Sequence, residues 1–114
     1  MTQSHCSIEI SGDAGLRAAK DIVGQLRQAL AEHDAVKVGV DAITAADITT
    51  IQLLLAARKQ ARATQKALSL TAAPSGAFRQ LLIAAGFLSA DGQPLTPEGD
   101  FWTPETQQNG GSPA

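Results

Sequence analysis

The chain has 114 residues, of which 44% are hydrophobic and only 4% aromatic, and its formal net charge is −2. This length suits one domain with a core of its own, and the composition requires that core to be mainly aliphatic. The balance of 9 basic against 11 acidic residues gives no support to nucleic-acid binding, which usually needs a basic face or stripe.

The first third of the chain alternates between strand and helix patterns. Residues 7–11 alternate as a short strand, residues 12–15 indicate a turn, and residues 16–17 fit a second, weak strand. A 3.6-residue apolar period then predicts a helix from about residue 19 that ends near His33. Gly24 inside this helix predicts a close backbone approach.

Alternating valines predict the next strand over residues 36–40, which ends at Asp41. Gly39 lies between these valines, and its lack of a side chain predicts a closely packed neighbour, most simply a helix. The following helix, from about residue 48 to 64, is apolar over a wide arc and should be buried in the core. Its cations are expected to form a solvated face: Arg58, Lys59, Arg62 and Lys66.

Residues 67–71 alternate as a further strand, and Ser75 is a plausible cap for a helix that Gly86 ends. The order predicts an α/β fold: a small four-stranded, mostly parallel mixed sheet with helices packed mainly on one face. One aliphatic core should contain Val36, Val38, Val40, Leu54, Leu68, Leu70 and Leu82.

The texture changes after residue 88. Residues 1–88 are expected to form the domain, and residues 89–114, with four of the five prolines, a tail that is partly docked and then disordered over its last dozen residues. Phe101 and Trp102 stand out in this polar tail. They are expected either to dock onto the domain or to bind a partner.

The most informative segment is the predicted helix start that follows Asp41. A short loop leads to Asp47-Ile48-Thr49-Thr50, so two hydroxyls lie in the first turn of a helix, where added negative charge is stabilised. No nucleophile, base and orienting group accompany them, so the pattern indicates a switch rather than an enzyme. The simpler alternative is that Asp47 is only a helix cap and that Asp41 braces the loop.

Residues 38–61, VGVDAITAADITTIQLLLAARKQA, resemble the signature of the STAS family, the domain of sulphate transporters and anti-sigma-factor antagonists. That signature is a strand ending in Asp, a loop, a second Asp followed by a hydroxyl residue and a small residue, and a Leu-rich helix. Ile48 departs from it, because phosphorylated antagonists carry Ser or Thr there. The resemblance spans residues 7–88 and implies a STAS-like fold.

The resemblance also implies a non-catalytic bacterial signalling module that binds a protein partner through residues 41–55. The partner would be a kinase-like regulator or signalling scaffold of the anti-sigma-factor or chemotaxis-kinase type. The expected partner-binding residues are Asp41, Thr44, Asp47, Ile48, Thr49 and Thr50. Thr49 and Thr50 are the candidate phosphoacceptors, and Thr49 is favoured. Alternatively, the chain is an accessory subunit that docks on the cytoplasmic ATPase of a lipid transporter, and the helix start is an interface rather than a switch.

We expect no cofactor and no metal, because His5, Cys6 and the distant His33 do not supply the four ligands of a closed site. We also expect no direct membrane insertion, because no apolar run approaches the roughly 18–20 residues that span a bilayer. The N-terminal residues lack the basic and apolar regions of a signal peptide. The sequence therefore predicts a cytoplasmic protein.

Overall fold

The computed structural model describes residues 5–96 and 99–103. Within them the chain forms three strands and three α-helices in alternation, with a short 3₁₀ helix after the first strand and another near the end. The strands are β1 (His5–Asp13), β2 (Ala35–Ala45) and β3 (Ala67–Leu70). The helices are α1 (Ala19–Glu32), α2 (Ile48–Ala63) and α3 (Gly76–Ala84).

The sheet has the order β1-β2-β3, and both strand pairings are parallel. Parallel neighbours require a crossover, and α1 and α2 supply the two crossovers. The predicted α/β class is confirmed, but the described residues form three parallel strands rather than a four-stranded mixed sheet. The missing strand is at residues 16–17, which belong instead to the 3₁₀ helix Leu16–Ala18.

One face of the sheet carries the core. Val36 and Val38 of β2 are aligned with Leu68 and Leu70 of β3, and all four side chains are buried. The residues between them form a polar row in which Ser7, Lys37 and Ser69 are partners across the sheet. The predicted core is confirmed as part of one buried cluster, which the helices complete with residues such as Leu26, Leu54 and Phe78.

Three local predictions were wrong. β2 does not end at Asp41 but continues to Ala45, because residues 11–13 of β1 pair with residues 42–45 after an irregularity in the register. Gly24 is exposed and would meet no neighbour if it carried a Cβ. Gly39 does have a close neighbour, but it is the Glu9 side chain of the adjacent strand, 2.9 Å from an added Cβ, and not a helix.

A C-terminal segment, residues 99–103, docks on α2 and α3. Phe101 and Trp102 are buried, and the Trp102 ring lies edge-on to the rings of Phe78 and Phe87, with centroids 5.7 and 6.3 Å away. The structure therefore places the aromatic pair in the core. The predicted disorder of the last dozen residues lies outside the described residues.

The sequence predicted that Arg58 lies on a solvated face of its helix, and this prediction was wrong. It is only 8% exposed, and its guanidinium donates two hydrogen bonds, of 2.6 and 3.1 Å, to the Asp100 carboxylate. The same guanidinium lies 5.1 Å from the centre of the Phe101 ring. Asp100 lies 42 residues further along the chain, so no local charge pattern could indicate this pairing.

Candidate functional site

Helix α2 begins with a capping box built by Asp47 and Thr50. Asp47 is extended, with φ −138° and ψ −175°, and its Oδ1 accepts a 2.9 Å hydrogen bond from the Thr49 N–H. Thr50 Oγ1 in turn accepts a 3.2 Å bond from the Asp47 N–H. Such reciprocal bonds satisfy backbone donors that the first turn of a helix leaves without partners.

The loop after β1 is joined to the same cap. The Thr50 hydroxyl donates a 2.7 Å hydrogen bond to the Ala14 carbonyl, and the Leu16 N–H donates a 3.1 Å bond to Asp47 Oδ2. Ala14 also donates from its N–H to the Ala45 carbonyl at the end of β2. Because β1 and β2 are parallel, their carboxyl ends lie together, and this network joins both ends to the start of α2.

Gly15 makes the close approach of loop and cap possible. A Cβ at this position would lie 2.7 Å from Asp47 Oδ2, which is closer than a real Cβ tolerates. The Gly15 N–H donates to the Asp13 carboxylate at 2.9 Å, so the turn is braced from both sides. A glycine at position 15 therefore lets the next residue, Leu16, bring its N–H to Asp47.

The electrostatics of the cap favour an ionised carboxylate. The hydrogen bond from the Leu16 N–H, followed by those from Thr49, lowers the pKa of Asp47 below its usual value. Partial desolvation acts in the opposite direction but does not reverse the shift. Asp47 is therefore an anion that accepts hydrogen bonds, and it is unsuited to donating a proton in general acid catalysis.

Comparison with known proteins identifies the fold family. A family model described as "Mlab, STAS domain" matches residues 1–90, which is most of the chain. The chain belongs to the STAS domain family. No curated protein matched the chain. STAS domains generally mediate protein–protein interactions and are generally non-catalytic, and the family suggests a signalling module of the anti-sigma-factor-antagonist kind.

The STAS domain brings some of the predicted site residues together and separates others. Asp47, Thr49 and Thr50 share the cap, and Ile48 beside them is 47% exposed. Thr49 is partly exposed, whereas Thr50 is fully buried. Asp41 and Thr44 lie exposed in β2. Asp41 Oδ1 accepts a 2.9 Å hydrogen bond from the hydroxyl of Ser75, so it braces the start of α3 rather than that of α2.

Sequence reasoning missed the contribution of residues 14–16 to this site. Leu16 is 70% exposed, and its backbone N–H is bonded to Asp47, the residue that precedes exposed Ile48. The signal was present, since a glycine-rich turn directly follows the first predicted strand. In a parallel sheet such a turn lies at the same edge as the turn after the next strand.

The described parts of the chain contain no group of three or more His, Cys, Asp or Glu side chains that could hold a metal ion. Among the helices of residues 5–96 and 99–103, none has the length and apolar character needed to cross a membrane.

Proposed function

We propose that this STAS domain is a non-catalytic signalling module that binds a protein partner through the α2-start surface. This surface consists of Leu16, Asp47, Ile48 and Thr49, and the proposed contact extends to Asp41 and Thr44 of β2. The observation that carries the proposal is the exposure of Leu16 and Ile48 next to Asp47, whose carboxylate accepts a hydrogen bond from the Leu16 N–H and caps α2. The hydrogen bonds of the cap fix the backbone at this place, and the two large apolar side chains are exposed to solvent. They are therefore available for burial by a partner.

The partner that this proposal favours is a kinase-like regulator or signalling scaffold of the anti-sigma-factor or chemotaxis-kinase type. Of the two candidate phosphoacceptors, Thr49 is the better one. Thr50 is buried and its hydroxyl donates to Ala14, so a kinase could reach it only by opening the cap. Thr49 is partly exposed and lies next to the α2 N-terminus.

Phosphorylation of Thr49 would add about −1.5 to −2 charges to a site that already holds the ionised Asp47. The helix dipole is worth about 0.3–1 kcal/mol to an anion in the first turn, and a like charge ~4–6 Å away opposes it by a similar or larger amount. The phosphate would therefore disturb the cap and the adjacent apolar pair rather than stabilise the fold. This is the behaviour of a switch that releases a partner.

The second candidate is an accessory subunit that docks on the cytoplasmic ATPase of a lipid transporter. It is favoured by Ile48, which stands where phosphorylated antagonists carry a hydroxyl, and by the buried Thr50. Under this proposal the α2-start surface is a permanent interface, and phosphorylation has no part in it.

Site-specific crosslinking in the native host tests the surface and separates the two candidates. A photoreactive p-benzoylphenylalanine replaces Ile48, and the matched control places it at Gln28, which is exposed on α1. A crosslink to a kinase-like protein from position 48 alone supports the first candidate, and one to a transporter ATPase supports the second. Equal crosslinking from both positions would show that the interface lies elsewhere.

The switch is tested by substitution at Thr49, with the identified partner and purified proteins. We expect Thr49→Glu to weaken binding, whereas Thr49→Gln, of the same size without the charge, and Thr49→Ala bind nearly as the wild type does. The fold of each variant is checked by circular dichroism. If Thr49→Glu binds as tightly as the wild type, the helix start is a cap and not a switch.

A further inference from the structure

A groove of about 690 Å³ lies between α1 and α2, and none of its lining residues belongs to the α2-start surface. This volume is within the range of small-molecule sites, about 300–1,000 Å³. Leu26 and Leu30 of α1 and Leu53 of α2 form its floor. At its sides lie small, exposed residues such as Ala31 and Ala56. The lining residues are Val23, Leu26, Arg27, Leu30, Ala31, Leu53, Ala56, Ala57, Gln60, Thr64 and Lys66.

The two cations of the groove lie from its middle toward one end, and the other end is apolar. Lys66, just beyond α2, donates a hydrogen bond from its ammonium group to the Leu30 carbonyl in the last turns of α1, so the two helices have their C-terminal ends together. Arg27 precedes Leu30 by one turn and lies on the same face of α1. The opposite end is lined by Val23 and Leu53, from the earlier turns of the two helices.

The charge of the lining departs from that of the whole chain. The chain has a net charge of −2, yet the lining contains two cations and no carboxylate. A lysine ammonium group has three donors, and the bond to Leu30 uses one of them. Lys66 can therefore hold its place on α1 and still donate to an anion at the mouth of the groove.

We propose that this groove binds a single-chain anionic amphiphile of the fatty-acid class. The acyl chain lies on Leu26 and Leu53, and the carboxylate meets Arg27 and Lys66 at the cationic end. Cations confined to one part of the groove favour such a ligand over an amphipathic helix of a partner, which would lay an apolar face along the whole groove. The proposal is independent of the α2-start surface.

Dodecanoate, used below its micelle-forming concentration, tests the site on the full chain by calorimetry and by NMR of methyl groups. We expect binding of one molecule per chain, with shifts confined to the methyl groups that line the groove and largest at Val23, Leu26 and Leu53. Ala56→Trp, which fills the groove, should abolish binding. The matched control is Ala63→Trp on the same helix, because Ala63 is exposed and does not line the groove, and it should bind normally.

Two changes test whether the cations bind the carboxylate head group: a charge-reversing substitution in the protein and an amphiphile with a cationic head group. Arg27→Glu should weaken dodecanoate binding by on the order of tenfold or more, while Lys59→Glu, which is outside the groove, should leave it unchanged. Dodecyltrimethylammonium should not shift the groove residues. Equal binding of both amphiphiles, or equal loss in both charge variants, would overturn the assignment of the cationic end.

Two other occupants are separate outcomes of the same measurements. If dodecanoate causes no shifts and sedimentation shows a dimer that Ala56→Trp dissociates, a second copy covers the groove and the proposal is wrong. It is equally wrong if dodecanoate fails to bind and the crosslinker at Ala56 captures a helical peptide of another protein. Shifts that map outside the groove overturn it as well.

Discussion

Two segments are tied to helix α2 by opposite chemistry. At its first turn, residues 14–16 are held by backbone hydrogen bonds to Asp47 and Thr50, and apolar side chains remain in water. At its middle, residues 99–103 are held by a buried aromatic cluster and by the ion pair of Arg58 and Asp100. The first arrangement fixes an exposed surface, whereas the second extends the core. Substitutions in the two regions should therefore differ in what they disturb.

The largest effect is expected at Trp102. Trp102→Ala removes a fully buried ring and should lower the free energy of unfolding by about 3–5 kcal/mol. Chemical denaturation followed by far-UV circular dichroism measures this, since the chain has one Trp and the variant has no Trp fluorescence.

Two controls sharpen that measurement. Leu95→Ala changes a side chain that is 57% exposed and should cost less than about 0.5 kcal/mol. Trp102→Phe should cost far less than Trp102→Ala, because the buried Nε1 has no hydrogen-bond partner among the described residues. A loss at Trp102→Ala as small as that at Leu95→Ala would show that residues 99–103 are not part of the core.

The sequence predicted the parts of this molecule that depend on local pattern. Alternating valines indicated β2, the 3.6-residue apolar period indicated α1, and a wide apolar arc indicated α2. Asp47, just before the predicted start of α2, indicated a cap. The pairing of Arg58 with Asp100 was not predictable, because it joins positions far apart in the chain, and α2 by itself presents Arg58 as one of three neighbouring cations. The extension of β2 past Asp41 depends on pairing with residues 11–13 of β1. The sequence of β2 alone carries no information about this pairing.

The sequence predicted the residues that α2 and its cap contribute to the candidate site, but not those of the loop at residues 14–16. Asp47, Thr49 and Thr50 were identified from their positions at a helix start, but their pattern could not indicate that Thr50 faces Ala14 while Thr49 stays accessible. That distinction arises where a second chain segment covers one side of the first turn.

Whether the domain ends at residue 88 stays a prediction.

The second largest effect is expected at Thr50. Thr50→Val keeps the shape but removes the bonds to the Ala14 carbonyl and the Asp47 N–H, so it should cost about 1–3 kcal/mol. Thr49→Val, one position earlier and partly exposed, is the matched control and should cost about 0.5 kcal/mol or less. Equal losses measured by urea denaturation would contradict the assigned network.

The ion pair at the middle of α2 gives a pH-dependent prediction. The hydrogen bonds from Arg58 lower the pKa of Asp100 in the folded state, so its stabilisation is present above the unfolded pKa of about 3.9 and is lost as the pH falls through the lower folded value. Asp100→Asn should lower the free energy of unfolding by about 1–2 kcal/mol at neutral pH. This value is at the lower end for a charged hydrogen bond, because Asp100 is 38% exposed and solvent screens its charge.

The difference between wild type and Asp100→Asn should therefore narrow below about pH 4. Denaturation curves recorded between neutral pH and about pH 2 test this. Asp47, whose pKa is also lowered, is present in both proteins, so its contribution cancels in the comparison. A difference that stays constant across this range would mean that the charge of Asp100 does not stabilise the docked segment.

The smallest effects are expected at two glycines, and they should have opposite signs. Gly15→Ala forces a methyl group to within 2.7 Å of Asp47 Oδ2, so the loop must move away and weaken the cap, at a cost of about 1 kcal/mol. Gly24→Ala lies in an exposed helix interior with open space around the added methyl group, so it should stabilise the domain by about 0.5–1 kcal/mol. Both changes add the same atoms and lower the entropy of the unfolded chain alike. A difference in the sign of the unfolding free-energy change therefore isolates the close contact between the loop and Asp47, and two stabilising substitutions would show that the α2-start surface is not rigidly held.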